Sequence, residues 1–213
     1  MKAILIGATG ATGKVLLQQL LADETYSQVN IFVRKPTALS HPKLQEFVID
    51  FDQPEQWRDP VQGDVLFSCL GTTIKAAGSQ DAQWKIDYDY QYQFAQAARA
   101  NGVPRYVLVS SFGANAKSKS FYTRMKGQLD EAVQQIGFPH CVIVRPPILE
   151  RPNSDRAGEK ISLAIIKGLN IIGLLKKLTP MPVATLANVM RQAAKFEGDF
   201  AIWESGEMWG KIA

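Results

Sequence analysis

Gly7-Ala8-Thr9-Gly10-Ala11-Thr12-Gly13 follows directly on the apolar run Lys2-Ala3-Ile4-Leu5-Ile6 and leads at once into Val15, Leu16 and Leu20. A short apolar run, a glycine turn and a segment of helical period read as strand, turn and helix. In that context the glycines have separable jobs. Gly7 permits a sharp exit from the strand, Gly10 leaves backbone N–H groups at the helix N-terminus open to an anion, and Gly13 lets the helix press on the sheet. The pattern predicts a dinucleotide pyrophosphate at this turn, in contact with Gly7, Thr9, Gly10, Ala11, Thr12 and Gly13. The spacing is GxxGxxG rather than GxGxxG, because Ala8 takes the second position. A glycine turn without a ligand would show the same residues; the strand before it and the helix after it favour the ligand.

The alternation continues outward from this turn. Strands are predicted at Lys2 to Ile6, Val29 to Val33, Leu44 to Ile49, Asp64 to Ser68, Arg105 to Ser110, His140 to Arg145 and Phe200 to Glu204. Helices are predicted at Ala11 to Ala22, Ala82 to Asn101, Tyr122 to Ile136, Glu159 to Lys177 and Thr185 to Phe196. Most of the strands are apolar almost throughout, as strands are when helices cover both faces of a sheet. The fold class is therefore α/β: a doubly wound, mostly parallel sheet of about seven strands, of the Rossmann type. No repeat or linker interrupts the chain, so residues 1–213 are expected to form a single domain. After Arg145 the alternation thins and Pro146, Pro147 and Pro152 mark irregular chain. Residues 148–181 are expected to build the substrate-side wall. Within them, Ile161 to Leu175 is apolar on more than one helical face, and closure over a substrate, a homodimer interface and docking on a membrane surface are its three readings, in that order.

Composition narrows the classes. The chain has 213 residues, 46% of them hydrophobic, which suffices for one sizeable core and excludes disorder, collagen and coiled coil. Lys and Arg number 24 against 20 Asp and Glu, but the basic residues are scattered, with Arg34-Lys35 and Lys176-Lys177 the tightest groups. Nucleic-acid binding is not expected. Ile161 to Leu175 falls short of the ~20 residues of a spanning helix, so no integral membrane segment is expected. Cys69 and Cys141 are too few for a disulfide scaffold and point to a reducing compartment. With Met1 to Ile6 too short for a signal peptide, the expected location is cytoplasmic. His41 and His140 lack partners for a metal site or a nucleophilic triad.

Two further clusters bear on chemistry. The second strand, Asn30-Ile31-Phe32-Val33, ends in Arg34-Lys35 rather than in the carboxylate that would grip the 2′-hydroxyl of NAD. This predicts NADP(H), with Arg34 and Lys35 toward the 2′-phosphate; a solvated strand-end cation is the plainer alternative for Arg34. Asp50, at the end of the third strand, is placed either to reach the adenine amino group or to cap the turn around Asp52 and Pro54. Tyr122 and Lys126 lie four apart at the start of a predicted helix, on one face. An ammonium beside a phenol favours phenolate, so such a tyrosine could exchange a proton near neutral pH. Ser110 and Ser111 close the preceding strand, where a hydroxyl could bond a substrate oxygen.

Taken together, Gly7 to Gly13, Ile31 to Arg34, Cys69-Leu70-Gly71-Thr72-Thr73, Trp84-Lys85-Ile86-Asp87-Tyr88, Val109 to Ala114, Tyr122 to Gly127 and Arg145-Pro146 resemble the atypical short-chain dehydrogenase/reductase superfamily. Within it, they resemble the Tat-interacting-protein-like oxidoreductase branch. The resemblance implies cofactor contact for Leu70, Gly71 and Thr72, and places Arg145, Pro146 and Pro147 near the nicotinamide. It also implies a catalytic serine, Tyr122 and Lys126. The serine is Ser110 or Ser111, and Ser111 is taken. At 213 residues the chain lacks the large substrate domain of sugar-nucleotide epimerases, which argues against a nucleotide-sugar substrate. The expected function is an NADPH-dependent reductase of a small carbonyl compound. Because relatives of this type include regulatory binders, the alternative is a non-catalytic NADPH-binding regulator or sensor.

Overall fold

The computed structural model describes residues 1–150 and 179–211. Its main sheet is built from β1 (Lys2–Ile6), β2 (Gln28–Val33), β3 (Leu44–Val48), β4 (Val65–Ser68), β5 (Arg105–Val109), β6 (His140–Arg145) and β9 (Phe200–Glu204). The spatial order is β3-β2-β1-β4-β5-β6-β9 and every pairing is parallel. All seven strands fall within a residue of the boundaries read from the sequence.

Side chains in a strand alternate between faces, and in the inner strands both faces are buried. Ala3 and Leu5 enter one core with Leu16 and Leu20 of α1 (Ala11–Ala22) and with Leu186 and Met190. Ile4 and Ile6 enter the other, with Phe94 and with Leu129 and Val133 of α6 (Phe121–Ile136). Burial on both faces explains why these strands read as continuous apolar runs rather than as alternating ones.

The helices differ more from expectation. The single helix expected from Ala82 to Asn101 is three pieces: α4 (Gln80–Trp84), a wider π-helical turn over Lys85–Asp89, and α5 (Tyr90–Ala100). Two one-turn helices, α2 (Pro54–Trp57) and α3 (Ile74–Ala77), are too short to leave a periodic signal. The helix expected from Thr185 starts earlier, as α7 (Val183–Ala193), and α8 (Ser205–Gly210) follows β9. The helix expected at Glu159 to Lys177 lies outside the described residues, as does most of the expected wall. At the two feet of that wall, β7 (Leu149–Glu150) pairs in parallel with β8 (Met181–Pro182). Among the described residues no helix is long and apolar enough to cross a membrane.

Candidate functional site

In this strand order the direction of winding reverses between β1 and β4, so the loops leaving their C-terminal ends part and leave a crevice. The glycine turn follows β1 and Cys69-Leu70 follows β4. They touch. Gly7 has φ +80°, and a Cβ there would stand 2.4 Å from the Cys69 carbonyl carbon, so only glycine fits. A Cβ on Gly13 would stand 2.1 Å from the Gly7 carbonyl oxygen. The turn is closed by Gly10 N–H donating to Gly7 O at 2.9 Å.

Gly10 is also the N-cap of α1, and no side chain caps that helix. The N–H groups of Ala11, Thr12 and Gly13 therefore have no acceptor inside the helix. They carry the positive end of its dipole. Gly10, Ala11 and Thr12 line a cavity of about 750 Å³. Leu70, Gly71 and Thr72 line the same cavity, and so do Ser110, Ser111, Tyr122, Lys126 and Pro146. Thr9 is exposed on the turn, while Gly7 and Gly13 shape it from behind.

Other predicted residues stand elsewhere. Arg34 and Lys35 are exposed at the end of β2, outside this lining. Asp50 accepts from the Asp52 N–H and from Gln53 Nε2, each at 2.9 Å, so it takes the turn-capping role of its two readings. Arg145 is turned away from the cavity. It donates to Asp130 Oδ2 at 3.0 Å and to Glu204 Oε1 at 3.0 Å, because its guanidinium finds carboxylates on α6 and β9.

The titratable and hydroxyl groups that line the cavity range from exposed to buried. Tyr122 is 40% exposed, whereas Lys126 is 3% exposed and donates from Nζ to the Val109 carbonyl at 3.1 Å. Ser111 is half-buried and Ser110 buried, and both line the cavity. Asp87, on the π-helical turn, is a cavity residue that sequence reasoning missed. Its Oδ1 accepts from the Thr72 N–H at 2.8 Å, which ties the loop after β4 to the helix. Burial pushes the Asp87 carboxyl above the ordinary range, against the opposing pull of the Lys126 cation and of the Thr72 and Gln83 donors. The available signal was a carboxylate set between Ile86 and Tyr88 in a stretch rich in aromatic residues.

Residues 7–169 match the family model described as NAD(P)H-binding. The chain belongs to that family. Its curated relatives include Protein FMP52-1, mitochondrial, of Scheffersomyces stipitis, 34% identical over 202 residues that span 92% of this chain and 88% of that protein. Protein HTATIP2 of Rattus norvegicus is 34% identical over 149 residues, 68% of this chain and 61% of that protein. Among solved structures, a short-chain dehydrogenase/reductase superfamily protein from Agrobacterium tumefaciens with bound NAD is 14% identical, with a TM-score of 0.72 over 100% of this chain and 82% of that one. The oxidoreductase ylbE of Lactococcus lactis is 18% identical, with a TM-score of 0.68 over 100% and 96%. These neighbours establish the Rossmann-type fold, and the FMP52- and HTATIP2-type relatives bear out the branch read from the motifs. They also correct the expected location. The fungal relatives, among them Protein FMP52, mitochondrial, of Candida albicans, are named as mitochondrial, which points away from the cytoplasm.

The residues present fit the cofactor of this family. The uncapped first turn of α1 and the gap at Gly10, where an added Cβ would meet nothing closer than Gly7 O at 3.3 Å, form an anion cradle open to the cavity.

Proposed function

We propose that the protein is an NADPH-dependent reductase of a small carbonyl compound. One observation carries this reading: a single cavity is lined both by a bare helix N-terminus and by Ser111, Tyr122 and Lys126. Gly10, Ala11 and Thr12 would hold a pyrophosphate, and Leu70, Gly71 and Thr72 would flank the cofactor. Arg34 and Lys35, exposed at the end of the neighbouring strand, would meet a 2′-phosphate. When bound, the reduced nicotinamide supplies a hydride. The chain's own residues supply the rest. Tyr122 Oη gives a proton to the carbonyl oxygen as negative charge grows there, and Ser111 Oγ donates a hydrogen bond to the same oxygen. Lys126, one helical turn from Tyr122, adds a buried positive charge behind them.

The division of that pair favours a second reading. Tyr122 is 40% exposed and Lys126 3%, with Lys126 Nζ engaged by the Val109 carbonyl. A non-catalytic NADPH-binding regulator needs no contact between the two. A panel of aldehydes and quinones, with NADPH oxidation as the readout, separates these readings. The reductase reading expects turnover that falls at least ~100-fold in Tyr122→Phe with cofactor affinity unchanged. Tight NADPH binding without oxidation on any substrate would overturn it in favour of the regulator.

A further inference from the structure

The loop that follows β4 supplies Leu70, Gly71 and Thr72 to the cavity wall, and both of its ends are tied to one stretch of helix. At its start, Ser68 Oγ, on the last residue of β4, donates to Gln91 Oε1 at 2.6 Å. Gln91 Nε2 in turn donates to the Asp87 carbonyl at 2.6 Å. At its far end, the Thr72 N–H donates to Asp87 Oδ1 at 2.8 Å, and the Thr72 carbonyl accepts from Gln83 Nε2 at 3.1 Å. The same amide nitrogen also reaches Asp87 Oδ2, at 3.4 Å. These bonds close a circuit through Ser68, Gln91, Asp87, Gln83 and Thr72, and along the chain only Cys69, Leu70 and Gly71 separate its two ends.

The circuit lies in the interior. Ser68, Gln83, Asp87 and Gln91 are each no more than 3% exposed. Among the described residues, the buried side-chain polar atoms that lack a partner include none from these four. Polar groups in a dry interior cost free energy unless each is paired, and a fully paired network fixes a single arrangement. The helix supplies the spacing: Gln83, Asp87 and Gln91 lie four apart, with the widened turn over Lys85–Asp89 between the outer two. A side chain that inserts into the backbone ladder of its own helix, as Gln91 does at Asp87, is a cause of such local departures from α geometry. Gly71 has no comparable hold, since a Cβ built there would meet nothing within 4 Å. Without the circuit the loop would keep backbone freedom that a ligand must remove on binding, at a cost in affinity.

We propose that Gln83 and Gln91 are positioning residues for the cofactor: through Asp87 and Thr72 they hold the loop from Leu70 to Thr72 in its binding shape before any coenzyme arrives. The consequence for affinity rests on the reading above, which sets that loop beside the cofactor. The circuit itself does not.

The test therefore begins without coenzyme. The Thr72 N–H is a direct reporter, and NMR follows its hydrogen exchange in the folded chain. The paired change Ser68→Ala with Gln91→Met removes the back of the circuit and leaves no hydroxyl buried without a partner. It should speed Thr72 exchange about fivefold or more and leave Ile31, on β2 between β1 and β3 and outside the circuit, unchanged. Asp87→Asn keeps an Oδ1 for Thr72 and should retain most of the protection that Asp87→Leu removes. Titration calorimetry on the paired variant should then show NADPH and NADH weakened alike, about fivefold, because neither the loop nor the circuit carries a cation for the 2′-phosphate. Unchanged Thr72 exchange, Thr72 and Ile31 rising together, or faster Thr72 exchange with both affinities intact would overturn the proposal. If the paired variant does not fold, Gln83→Met removes only the donor to Thr72 O and Asp87, and the same readouts apply. Failure of the unaltered chain to bind either coenzyme would overturn the positioning role together with the cofactor reading, and Thr72 exchange that still follows the substitutions marks that failure as one of the reading, not of the circuit.

Discussion

Replacing Gly10 and Gly13 by alanine, one at a time, separates the cofactor cradle from the packing of the fold. A Cβ at Gly10 would lie 3.3 Å from Gly7 O and 3.9 Å from Cys69 O, contacts the turn can absorb. It would also protrude into the cavity lined by Gly10, where a pyrophosphate must approach the Ala11, Thr12 and Gly13 N–H groups. Each charge-assisted bond to such a group contributes about 1.5–3 kcal/mol. Loss of one weakens NADPH binding roughly 10- to 150-fold, with Tm nearly unchanged. Gly13 behaves in the opposite way. Its added Cβ would fall 2.1 Å from Gly7 O, a backbone atom that cannot swing aside. The usual gain in helix propensity from Gly to Ala, about 1 kcal/mol, is smaller than an overpacking cost of ~3 kcal/mol or more. A net loss of ~2 kcal/mol in a chain of this size lowers Tm by roughly 4–8 °C. Titration calorimetry with NADPH and a thermal melt on each variant give the comparison. Undiminished NADPH affinity in Gly10→Ala, or a Tm loss there equal to that of Gly13→Ala, would refute the assignment of these roles.

Arg34→Glu should weaken NADPH by about tenfold or more and NADH far less, because only NADPH presents the 2′-phosphate; equal loss for both in calorimetry would reduce Arg34 to a solvated strand end. Asp23, on the loop after α1, is pushed upward by burial, but the Thr25 donors and the Arg191 guanidinium outweigh this and hold it at about 2. A folded carboxyl below its unfolded value contributes stability above about pH 4 and loses it as pH falls through about 2, a change on the order of 1–2 kcal/mol. Urea unfolding at pH 5 and pH 3 should show this loss in the native chain and a smaller one in Asp23→Asn.

What was legible in the sequence divides along a physical line. Strands and the glycine turn are local: β-branched runs declare a doubly buried strand, and Gly7 and Gly13 are dictated by backbone atoms that lie within one loop or across the crevice from it. Tyr122 and Lys126 were legible for the same reason, since helical spacing fixes their common face. The π-helical turn was hidden because Lys85 to Asp89 keeps the composition of a helix while widening its turn, and Asp87 was hidden with it.

Arg34 and Arg145 show where such reading stops. Each is a basic residue at the C-terminal end of a parallel strand; the strand-end position itself points Arg34 to the cofactor, whereas for Arg145 only the family resemblance does. In the fold one is exposed and the other is held by Asp130, fifteen residues before it, and Glu204, fifty-nine after it. An ion pair between elements so far apart leaves no period and no motif. A strand-end cation thus becomes a ligand only when the topology brings no carboxylate within its reach, and that condition belongs to the sheet order, not to the strand. The same order that carries Glu204 on β9 to the side of β6 sets it beside Arg145, whose guanidinium is shared between Glu204 and Asp130.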